Sequence, residues 1–191
     1  MRLEALNELD QAAAIRELLR CCGSTQWARE MAASRPFGTA EAIAQTSDTI
    51  WSSLTRADWL EAFAAHPRIG DHAASAWAAA EQSGTAKAPD EVRAQLAVKN
   101  RDYEARFGYI FIVCATGQAA EAMLAMLDER LTNDPDDELH IAAEEQRKIT
   151  QLRLAKLLVA PQAAQSLSTS PSAERREVTG GGDGAPPHNK K

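Results

Sequence analysis

The chain has 191 residues, 45% apolar and 25% charged, with a formal net charge of −6. That length supports one domain with a real core, and the composition is that of a soluble globular protein. The acidic balance, with no basic stripe carrying interleaved aromatics, excludes a nucleic acid or an anionic membrane surface as the main partner.

In chain order, the N-terminal "MRLEALNELDQ" has no apolar h-region, so no secretory signal is expected. Helices are predicted over 9–21, 25–33, 39–54, 56–66, 73–83, 89–106, 117–131 and 136–159. Thr39 follows Gly38 as an N-cap, and Thr55 with Asp58 makes a capping box. Pro89 and Pro135 suit a first helical turn, with acids just behind them. "YIFIVCA", 109–115, is β-branched and aromatic. It reads as one extended buried segment; with no partner strand, a sheet is not expected. The fold class is therefore all-α: one helical domain of about eight helices over 1–160. From Pro161 the sequence is rich in Ser, Gly, Pro and Ala, and only Leu167 and Val178 are sizeable apolar residues. Residues 161–191 bury too little surface to offset ordering and read as a disordered polar tail. No run is long enough to span a bilayer. Cys21, Cys22 and Cys114 are odd in number and form no CxxC, which fits a reducing compartment. "HNKK" is not a peroxisomal tripeptide, and the expected location is cytoplasmic.

Three polar side chains fall on apolar faces. Trp59, Phe63 and His66 continue one stripe, and Pro67 disfavours helix at the histidine before it. His66 should sit partly buried at a helix end, where an imidazole can act as acid or base; a hydrogen-bonded core histidine is the plainer alternative. Glu81 stands four residues after Trp77 in an alanine-rich helix, so partial desolvation would raise its pKa; a solvated helix-end carboxylate is its alternative. On a wheel with Ile149 at the origin and about 100° per residue, Ala142 falls near 20°, Leu139 and Leu157 near 80°, Leu152 near 300° and Arg153 near 40°. A guanidinium in that stripe stays charged and needs an anion, from an internal carboxylate or a substrate. Its plainer alternatives are an internal salt bridge or a snorkelling stem. His66, Asp71 and His72 match no standard ligand spacing, so no metal site is expected. Cys114 reads as packing.

The segments "CCGSTQWAREMAASRPF" (21–37), "HPRIGD" (66–71), "EQSG" (81–84), "NRDYEARFGYIFIVCATG" (100–117) and "ELHIAAEEQRKITQLRL" (138–154) occur in order. Together they resemble the OHCU decarboxylases, the 2-oxo-4-hydroxy-4-carboxy-5-ureidoimidazoline decarboxylases of urate breakdown. The resemblance runs from about Leu6 to Leu158. It implies an all-helical homodimer that needs no cofactor and yields (S)-allantoin. It also implies catalytic roles for His66, Glu81 and Arg153, and a substrate-binding lining from Pro67, Ala78, Ala79, Ala80, Glu81, Gln82, Phe111, Ile112, Val113, Cys114 and Ala115. The alternative function is a non-catalytic helical module that holds an acidic metabolite on Arg153. A metal-dependent hydrolase using His66, Asp71 and His72 is a further rival.

Overall fold

The computed structural model describes residues 1–67 and 88–159, which form eight helices and no strand among the described residues. They are α1 (Leu3–Glu8), α2 (Gln11–Leu19), α3 (Thr25–Ala33), α4 (Ala40–Ser53), α5 (Arg56–Ala64), α6 (Asp90–Phe107), α7 (Ala120–Arg130) and α8 (Pro135–Val159). The fold is all-α, as expected. One detail differs from the sequence reading: α1 was not anticipated, since six residues with a single fully buried side chain, Leu6, give almost no periodic signal. The helix expected over 73–83 lies outside the described residues.

The starts are set by side chains that satisfy orphan backbone donors. Asp10 accepts from Ala13 N–H, Ser24 from Trp27 N–H and Thr39 from Ala42 N–H. The Thr55–Asp58 capping box is formed in both directions. Pro135 opens α8, and Asp136, Asp137 and Glu138 occupy its first turn, where the helix dipole favours negative charge. α6 ends at Gly108, whose φ of 80° is the left-handed conformation that a helix terminus commonly takes.

α1 is strapped to the far end of α3. The Arg35 guanidinium donates to the carbonyls of Leu6, Leu9 and Ala32 at 2.7–3.0 Å. Asn7 exchanges two 2.9 Å hydrogen bonds with the backbone of Phe37. α8 lies along α4 and α5. Gln151 donates to Ala44 O and Asp48, Arg147 pairs with Asp48, and the buried Trp51 indole donates to Ala143 O at 3.1 Å. The wheel of α8 holds: Leu139, Ala142, Ile149, Arg153 and Leu157 are buried, and Leu152, at the edge of the stripe, turns out to solvent with 37% exposure.

Residues 109–115 run extended between α6 and α7 with no strand partner among the described residues. Tyr109, Phe111, Ile112, Val113 and Ala115 are buried, while Cys114 is half-buried. Their rings form one cluster: Phe111 and Tyr109 meet Tyr103 edge-on at 5.3 and 5.8 Å, and Phe63 lies 5.3 Å from Tyr109. An extended backbone among helices must find polar partners off its own segment. Ile112 O accepts from Arg130 at 2.9 Å, and Cys114 N–H donates to Glu145 at 2.7 Å. Arg130 in turn pairs with Glu138, which has no exposure and also accepts from Tyr103 and from Asn133. The guanidinium lies 4.6 Å over the Phe111 ring. Burial and the Glu138 carboxylate push the Tyr103 phenol well above its usual range, against the pull of Arg130, so its hydroxyl is a donor at every physiological pH.

Removing one partner of such a pair strands a buried charge. Arg130→Met should lower the unfolding free energy by about 3–5 kcal/mol, measured by urea denaturation. Burial raises Glu145, but hydrogen bonds from Lys148 and from Cys114 N–H outweigh it and hold the carboxyl below its ordinary value of 4.5. A lowered folded pKa adds stability that is complete above the unfolded value and is lost as pH falls through the folded one. The stability difference between the parent chain and Glu145→Gln should therefore be constant above about pH 5.5 and shrink below pH 4.5, in denaturation series at each pH.

Candidate active site

α5 delivers His66. Its capping box fixes the start, and Trp59, in the middle turn, donates to Trp51 O at 3.3 Å and meets the His140 ring edge-on at 5.5 Å. Phe63 is fully buried beneath the last turn. After Ala65 the chain tightens, with His66 N–H donating to Phe63 O at 3.1 Å, and Pro67 follows. His66 is half-buried, as its place after the stripe requires, and its Nε2 is shielded from solvent. The imidazole lines a cavity of about 260 Å³ with Leu60, Ala64, Glu104, Gly108, Tyr109 and Ile110. The cavity thus brings together the end of α5, the last turns of α6 and the first residues of the extended segment. An acid or base and a carboxylate-bearing residue border one small concave space, which is the arrangement expected of a metabolite site.

Glu104 and Tyr109 were not singled out by the sequence. Glu104 had a signal: it stands four residues after the buried Asn100 and borders the Tyr103 face of α6. Tyr109 was read only as part of the apolar run.

Arg153 is 9% exposed, on the inner face of α8. Its neighbours include Cys21 and Cys22, in the connection between α2 and α3. Burial pushes the Cys21 thiol up to about 12, with Arg153 pulling the other way. Burial likewise raises Cys22 to about 11, against a backbone hydrogen bond with Ser24 and a side-chain hydrogen bond with Thr150. Both thiols are neutral at physiological pH and bring Arg153 no negative charge. The guanidinium is a buried cation suited to an anion with two parallel acceptors.

His66 and Arg153 do not line the same cavity wall, since Arg153 is not among the residues around the 260 Å³ space. The α2–α3 connection relates to both: Cys21 and Cys22 lie within the electrostatic reach of Arg153, and Gly23 lies against Ala65, the residue before His66. Of the expected lining, Pro67 is half-buried beside His66, and Ile110 rather than Phe111 reaches the cavity. Phe111, Ile112, Val113 and Ala115 are packed in the core, and Cys114 is half-buried with its N–H on Glu145. Glu81, Ala78, Ala79, Ala80 and Gln82 lie outside the described residues, as do Asp71 and His72. Among the described residues no group of three His, Cys, Asp or Glu side chains could hold a metal, and no helix is long and apolar enough to cross a membrane.

Comparison with known proteins extends these observations. Residues 7–155 match the family model described as OHCU decarboxylase. The chain is 43% identical over 145 residues, 72% of its length, to the uric acid degradation bifunctional protein TTL of Arabidopsis thaliana, covering 45% of that protein. It is 44% identical over 62 residues to the 2-oxo-4-hydroxy-4-carboxy-5-ureidoimidazoline decarboxylase of Amia calva, covering 32% of this chain and 35% of that one. The chain thus spans less than half the length of these two curated relatives. A solved OHCU decarboxylase, crystallised in the presence of (S)-allantoin, superposes with a TM-score of 0.68 at 43% identity, covering 74% of this chain and 96% of that one. With the family model spanning most of the chain and the relatedness extending to a superposable fold, this protein belongs to the OHCU decarboxylase family.

Proposed function

We propose that this chain decarboxylates 2-oxo-4-hydroxy-4-carboxy-5-ureidoimidazoline to (S)-allantoin in urate breakdown, acting as a carbon–carbon lyase. The observation that carries the reading is the His66 imidazole, half-buried at a forced helix stop on a small cavity, in a chain that matches the family over residues 7–155.

The chemistry explains why side chains can suffice. The carbon that bears the carboxylate and the hydroxyl adjoins a ring C=N. As the bond to the carboxylate breaks and CO2 leaves, its electron pair forms a C=C bond to the neighbouring carbon. The imine π electrons move onto the ring nitrogen, which takes up a proton. The enol so formed becomes the ketone when it loses its hydroxyl proton and the neighbouring carbon takes one up, and the face of that protonation sets the S centre. The imine is the electron sink, so the scheme asks for no cofactor.

In this scheme Arg153 holds the anionic substrate through paired, charge-assisted hydrogen bonds. His66 exchanges the proton of the hydroxyl. Glu81 binds ring or ureido N–H groups and steers the protonation. Pro67, residues 78–82 and the backbone of 111–115 line the planar ligand. The reading also carries a cytoplasmic homodimer and a helical domain that ends near residue 160, followed by the polar tail. The family match stops at 155 and α8 at Val159, which supports that boundary.

The test is to feed freshly generated substrate and follow chiral allantoin by circular dichroism. His66→Asn should lower kcat by about 10²–10⁴-fold, the usual contribution of a placed acid or base. Near-full activity in that variant would overturn the assignment. Arg153→Lys keeps the charge but loses the planar fork, so it should raise KM about tenfold or more. Dialysis against a chelator should leave the rate unchanged, and loss of activity there would favour the metal-dependent rival. Binding of an acidic analogue without any turnover would instead favour the non-catalytic module.

A further inference from the structure

The connection between α2 and α3 touches both halves of the site. On one side Cys21 and Cys22 are fully buried near Arg153, and the Cys22 thiol shares a hydrogen bond with Thr150, one turn before Arg153 on α8. On the other side Gly23 packs against the last turn of α5. A Cβ placed on Gly23 would stand well inside 3.0 Å of the Ala65 methyl and 3.4 Å from Ala62 O. Thr25, just beyond, clamps the same helix, with its N–H and its hydroxyl on the two carboxylate oxygens of Glu61 at 3.0 and 2.6 Å. Among the described glycines the positive φ values belong to Gly108 and Gly117 and not to Gly23, so glycine stands here for space and not for backbone freedom. Both methyls in this contact would be fixed to backbone, so no rotamer relieves it. Ala65 is solvent-exposed on its outer side. The overlap can therefore be relieved by an outward shift of the end of α5, which carries His66 with it.

We propose that Gly23 is a positioning residue. Its missing side chain lets the end of α5 close onto the α2–α3 connection, and that closure sets the separation of His66 from Arg153. The inference rests on the reading of those two side chains as partners on one substrate. A displacement near 1 Å at an acting group costs about 10²-fold in rate.

The test is a double-variant cycle on the full chain, with Gly23→Ala, Ala65→Gly and both together, read by kcat, KM and melting temperature. Gly23→Ala should lose about 10²-fold in kcat with KM changed less than about threefold, because Arg153 still holds the anion. Ala65→Gly should stay within about threefold of the parent chain. The double variant, whose overlap is gone, should return to the level of Ala65→Gly. A merely structural glycine would show its loss in melting temperature without this split and rescue. Parent-like kcat in Gly23→Ala, or a double variant no better than Gly23→Ala, overturns the proposal. Should Gly23→Ala fail to fold, Ala65→Ser and Ala65→Val fill the same gap from the α5 side. Activity should then fall with added volume, and a flat series overturns it equally. The His66 ring resonances, assigned with His66→Asn, separate the two hypotheses. If the parent chain makes no allantoin, the proposed function fails. The positioning role still stands if Gly23→Ala shifts those resonances and Ala65→Gly restores them, and it falls if they stay put.

Discussion

The Arg130–Glu138 pair is the constraint on which this arrangement depends. An extended segment inside a helical protein is costly, because its amides cannot bond along their own element. Arg130 meets that cost at Ile112 O, stacks on Phe111, and is neutralised by a carboxylate that Tyr103 and Asn133 also satisfy. Four elements converge on these groups: α6 through Tyr103, α7 through Arg130, α8 through Glu138, and the segment itself. Buried ion pairs rarely outperform apolar packing in net stability. The geometry here gives the pair a different value: it fixes where the backbone after Gly108 runs, and that backbone forms one wall of the His66 cavity.

Much of this was legible in the chain. The caps at Thr39 and at Thr55 with Asp58 are local, decided by residues three apart. Arg153 was legible because α8 is long enough, at 25 residues, for its stripe to be unambiguous, and a cation inside a stripe stands out. "YIFIVCA" was legible as extended because its aromatic and β-branched content suits no surface helix. The Arg130 network was not. Its partners, Glu138, the Ile112 carbonyl and Tyr103, lie 8, 18 and 27 residues from the arginine, on different elements, and no local pattern links them. Glu104 was hidden for a related reason, since only the arrival of α5 at the end of α6 turns that flank into a cavity wall. The family resemblance supplied what neither periodicity nor capping could, namely an expected substrate and an expected set of site residues from distant parts of the chain.

The neighbourhood of Arg153 sets a buried cation near two small uncharged side chains. Two thiols lie close, and burial keeps both neutral, so they pack without quenching the charge. Aspartates in their place would bring negative charge near the guanidinium. Cysteine offers the volume of a small apolar side chain with a weak donor.

The strap at the other end of the molecule bears on how the protein can be cut. The family match begins at residue 7, yet Leu6 fills a fully enclosed slot and its carbonyl is one of the three held by Arg35. A truncation drawn at the edge of that match would take one of the guanidinium's carbonyl partners and leave a hole the size of a leucine. The physical edge of this domain therefore precedes its evolutionary one, and a shortened version would be a damaged protein rather than a minimal one.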